Sequence, residues 1–107
     1  MGKLTLFEIK AIAYNMLLGC FPSVKGGVLG ILKDRSVDIL ISDFAERPIL
    51  IIFVKRSIRC ILTRKQKDSL IGVNIPYIII KGAVDAINAK FLVGSFLMRN
   101  NININGV

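Results

Sequence analysis

Along residues 5–18, "TLFEIKAIAYNMLL", apolar side chains recur at helical spacing, and Thr5 followed three residues later by Glu8 fits a capping box. The pattern predicts a first helix over 5–18. The stretch that follows, "GCFPSVKGG", reads as a loop by its Gly, Pro and Ser content. Three strand patterns then come in quick succession, "GVLGILK", "SVDILISD" and "PILIIFVKR". Their short connections predict an antiparallel meander. The third carries bulky apolar residues at both parities, the pattern of a central strand buried on two faces. In the second, Val37, Ile39 and Ile41 are assigned to one face and Asp38, Leu40 and Ser42 to the other.

A second capping box, Thr63 with Gln66, opens a short helix reaching Leu70. After it "IPYIIIK" predicts a buried strand and "AVDAINAKFLVGSFLMR" a continuous closing helix. The order is αβββαβα: an α/β domain over residues 1–100, with a mixed four-stranded sheet flanked by helices. Residues 101–107 read as a flexible polar tail. Phe7, Phe91 and Phe96 fall at helical spacing and are assigned to the core, which leaves no aromatic platform for single-stranded bases. Asp85 sits near a helix start, where an acid favours the dipole, and carries no assigned chemistry.

Composition narrows the class. Of the 107 residues 53% are hydrophobic, yet the apolar runs are far shorter than the roughly 20 residues a membrane span requires. No secretory signal is visible at the N-terminus, so an intracellular, cytoplasmic location is expected. The chain has no histidine, which excludes His-dependent bases and triads and the usual zinc constellations. Cys20 and Cys60 are read as small buried hydrophobes.

Fifteen Lys and Arg stand against seven Asp and Glu, a net charge of +8, and the excess is localised. Six basic residues without an acid, Lys55, Arg56, Arg59, Arg64, Lys65 and Lys67, lie in "KRSIRCILTRKQK". A run of this kind suits a phosphate-bearing partner, a nucleic acid. Asp38, inside a strand, needs solvent or a partner. It is either an edge acid beside Arg35 or a metal ligand converging with Lys55 from the next strand.

Glu8 on the first helix, Asp38 on the second strand, "FVK" ending the third and Gln66 on the helix after it together resemble the PD-(D/E)XK nuclease superfamily. The nearest likenesses are archaeal Holliday-junction resolvases and small virus-type replication-repair nucleases. The resemblance implies a restriction-endonuclease-like fold, Asp38 as ligand for Mg²⁺ or Mn²⁺, and Lys55, Glu8 and Gln66 as catalytic groups. It also implies DNA as partner and a homodimer, for which the apolar surplus of the last helix offers a face. One position departs: Phe53 stands two residues before the lysine, where the family carries its second acid.

Three functions follow. The chain is expected to be a nucleic-acid-binding protein with a degenerate metal site. The alternatives are an active metal-dependent endonuclease in which Asp43 or Glu46 replaces the missing acid, and a small homo-oligomeric assembly protein.

Overall fold

The computed structural model describes residues 3–104. Its α1, Leu6–Leu17, starts where the sequence says it should. The Thr5 hydroxyl accepts from the Glu8 amide at 3.1 Å, and the Glu8 carboxylate accepts from the Thr5 amide at 2.9 Å. Ile9, Ala13 and Leu17 form the buried stripe, one residue per turn. Strands β1 (Ser23–Leu32), β2 (Arg35–Ser42) and β3 (Pro48–Lys55) follow, then α2 (Arg64–Ser69), β4 (Tyr77–Lys81), α3 (Gly82–Ile87) and α4 (Ala89–Arg99).

One mixed sheet results, ordered β1-β2-β3-β4. The first two pairings are antiparallel and β3–β4 is parallel, so the chain crosses over between them through α2. Alternate residues of β3 serve different cores. Leu50, Ile52 and Val54 face α1, α3 and α4, whereas Ile51 and Phe53 join Leu62 and the residues around α2. Each fully buried side chain of that size contributes about 1.5–3 kcal/mol, which makes β3 the spine of the domain. Gly82, at φ +82°, lets β4 turn directly into α3 without a loop. At Gly26 an added Cβ would stand 3.5 Å from the Tyr14 ring, an ordinary van der Waals contact where α1 packs on β1.

Several expectations are corrected. β1 begins at Ser23 rather than Gly27, because Ser23–Gly26 pair with Ser42–Ile39 and strand pairing overrides the local loop composition. Val37 packs in the Leu40 cluster and not with Ile39 and Ile41, so strict alternation fails through Asp38. The closing helix divides at Asn88, whose side-chain and backbone amides both donate to the Val84 carbonyl, at 2.9 and 3.1 Å. Phe7 and Phe91 are exposed, 80% and 71%, since each lies two positions from its helix's buried stripe and therefore on the far side. Phe96 does pack on the core.

Cys20 is exposed rather than buried, Cys60 is half-buried, and both are free. The expected tail is anchored as far as it is described. Ile102 and Ile104 pack against the larger core, and the Ile104 carbonyl accepts from the Phe44 amide at 3.0 Å. Residues 105–107 lie outside the described residues. No helix among the described residues is long and apolar enough to cross a membrane.

Candidate functional site

The site forms where β2 and β3 part. Their pairing runs from Ser42↔Pro48 to Ile39↔Ile52 and stops there. Beyond it the Val54 amide donates to Asp38 Oδ2 at 2.8 Å, so a carboxylate replaces a strand carbonyl as acceptor. A hydrogen bond to a charged group contributes about 1.5–3 kcal/mol, enough to hold Asp38 at this point. Its other oxygen, Oδ1, lies 2.9 Å from Lys10 Nζ on α1. The Asp38 side chain is 15% exposed and that of Lys10 40%, so the pair sits at the mouth of a cavity rather than in open solvent.

Lys55 enters the same cavity from the end of β3, and its ammonium donates to Gln66 Oε1 at 2.7 Å. Gln66 Oε1 also accepts from the Thr63 amide at 2.9 Å, and the Gln66 amide donates to Thr63 Oγ1 at 3.1 Å. The capping box that starts α2 thereby fixes the lysine's partner. Together Lys10, Asp34, Arg35, Asp38, Lys55 and Gln66 line a space of about 440 Å³. Three cations therefore share it with two carboxylates.

Of the residues expected to form the site, the structure brings Asp38, Lys55 and Gln66 together. Glu8 does not line the cavity. It is exposed and committed to the cap, where the Thr5 amide and then the Thr5 hydroxyl hold its carboxyl below the ordinary value. Leu6 and Lys10, one turn apart, occupy the face of α1 that turns to the cavity. Phe53 lies in the core beneath the site, 1% exposed, with its ring edge-on to Tyr77 at a centroid distance of 6.0 Å.

Neither proposed substitute acid reaches the site. Asp43 stands at the opposite end of β2, five residues and about 16 Å along an extended strand from Asp38. Its carboxylate accepts from the Ala45 and Arg47 amides, both at 2.9 Å, and from the Arg47 guanidinium at 3.2 Å. The Arg47 amide is the main cause holding the Asp43 carboxyl below its ordinary value; burial opposes it, and the Ala45 amide and Arg47 charge add to it. Glu46 is in the same turn, at φ +61°.

Asp38 and Asp34 are the carboxylates that line the cavity, and Lys10 already pairs with Asp38. Mg²⁺ takes oxygen ligands, commonly one or two carboxylates with water and substrate phosphate. Here each Asp38 oxygen already accepts one N–H, Phe53 supplies no oxygen, and Asp34 is the other carboxylate of the cavity. Among the described residues no group of three or more Asp, Glu, Cys or His could hold a metal.

The basic run spreads around this centre. Lys65 lines an adjoining cavity of about 500 Å³ with Lys33 and Asp68, and the two cavities share Asp34 and Arg35. Arg56 lines a separate hollow with Lys3 and Cys60. Arg59, Arg64 and Lys67 are exposed and, with Arg56 and Lys65, make no ion pair among the described residues. Lys10 and Lys33 are the members that sequence reasoning missed, whereas Arg35 was expected beside Asp38 and does line the same cavity. Lys33 and Arg35 flank the β1–β2 turn, and Lys10 adjoins the Ile9 stripe at i+4 from Leu6, the one local sign that it faces the sheet. The chain matches no protein-family model, no curated protein and no solved structure.

Proposed function

We propose that the protein binds nucleic acid through backbone phosphates, using a restriction-endonuclease-like fold of the PD-(D/E)XK kind whose metal site is degenerate. The observation that carries this reading is the convergence of Lys10, Arg35 and Lys55 on one cavity whose deepest carboxylate is already paired. Such a cavity offers N–H donors to an incoming anion, and Lys10 already stands where a cation would balance Asp38. The adjoining Lys33 and Lys65 extend the positive surface, which suits a polymer of phosphates better than a single small anion. With no base-reading motif in the sequence, recognition rests on backbone and shape.

The test is a gel with labelled duplex, single strand and four-way junction, each with Mg²⁺, with Mn²⁺ and with EDTA. Binding that weakens steeply with salt, without cleavage, is the expected result. Cleavage abolished by both Asp38→Ala and Lys55→Ala would replace the reading with an active nuclease. Absence of binding to every substrate would leave the assembly function standing.

A further inference from the structure

Resting on that reading, we infer that the Lys10 ammonium holds the cation's position on Asp38, and that the site takes a phosphodiester without a divalent metal. A metal ion in such a cleft has two tasks: it neutralises the carboxylate and it bridges to a phosphate oxygen. An ammonium performs both. It is a compact positive charge with three N–H donors. One N–H of Lys10 is spent on Asp38 Oδ1 at 2.9 Å, and the other two are available to a phosphate at the cavity mouth. The Val54 amide donates to Asp38 Oδ2 and Lys10 to Oδ1, so the carboxylate anchors the lysine, and a second cation would have to compete with an ammonium already in place.

Phe53 fits the same account. Once the charge on Asp38 is balanced from α1, an acid at position 53 would be an uncompensated carboxylate, and an apolar side chain in the Leu40–Ile51–Leu62 core is the stable alternative. Lys55, held by Gln66, and Arg35 supply the remaining contacts to the anion. The metal's work is thereby carried by the chain itself.

The experiment begins without nucleic acid, titrating Mn²⁺ by electron paramagnetic resonance into wild type, Lys10→Glu, and Lys10→Glu combined with Asp38→Asn. Lys10→Glu is expected to bind Mn²⁺ at least about tenfold more tightly than wild type, and the double variant to lose that gain. Lys10→Gln adds no acid and keeps the question open to measurement if the Glu variant fails to fold; its Mn²⁺ affinity also exceeds that of wild type. Wild-type Mn²⁺ binding that Asp38→Asn removes, or no gain in either Lys10 variant, overturns the inference. In a second arm, wild-type affinity for a labelled duplex is expected to be equal in EDTA and in Mg²⁺ at constant ionic strength. A requirement for Mg²⁺ overturns the inference, whereas failure of the wild type to bind DNA at all overturns the function and leaves the Mn²⁺ arm to decide the role of Lys10.

Discussion

Gln66 holds the Lys55 ammonium at 2.7 Å with the same oxygen that caps α2. The helix start and the cavity lysine are therefore one hydrogen-bonded unit. Gln66→Ala is expected to cost about 1 kcal/mol through the lost cap, and to weaken nucleic-acid binding as Lys55 loses its fixed position. Gln66→Glu keeps the cap but places a carboxylate against Lys55, so stability is retained while affinity falls. Paired thermal-melt and binding measurements separate the two variants.

Lys55→Ala removes one phosphate-facing charge without touching the core. Binding should weaken similarly for all sequences, and the slope of log K against log salt should fall by about 1. A sequence-selective loss would point to base contact instead.

Phe53 marks a position where introducing an acid should fail. Phe53→Ala is expected to destabilise by about 3–5 kcal/mol through its cavity. Phe53→Glu should be no better, because a carboxylate there enters a core without a partner. Denaturant unfolding of both variants checks this, and a folded Phe53→Glu protein that cleaves DNA would refute it.

Asp43 gives the acid limb of stability a specific origin. Its folded-state carboxyl titrates below the ordinary value because of the Arg47 amide first, so it favours the fold above the unfolded-state value. That contribution is lost as pH falls through the folded value. Asp43→Asn should be less stable than wild type near neutrality and show a shallower decline on acidification. Melting temperature measured from about pH 6 to pH 2 reads the difference.

At Gly94, inside α4, a Cβ would meet nothing within 4 Å. Gly94→Ala is therefore expected to stabilise the protein by up to about 1 kcal/mol through helix propensity alone.

Local chemistry was legible wherever it was local. Both capping boxes, Thr5 with Glu8 and Thr63 with Gln66, could be read from four-residue windows, and the two-sided run in β3 announced a central strand. The Lys10–Asp38 pair could not be read, because 28 residues separate its members and only the packing of α1 on the sheet joins them. Phe7 and Phe91 misled because helical spacing alone does not say which stripe is buried; Ile9, Ala13 and Leu17 win that face in α1. The helix divides at Asn88 although its apolar pattern runs on unchanged, so hydropathy alone does not register the break.

The bond from the Val54 amide to Asp38 makes the rim of the sheet a reporter of occupancy. That bond and the burial of Val54 together are expected to shield its amide from exchange with solvent deuterium. Whatever tightens or loosens Lys10 on Asp38 should change how often Val54 opens. Filling the cavity with phosphate should slow its exchange, by linkage between binding and local opening.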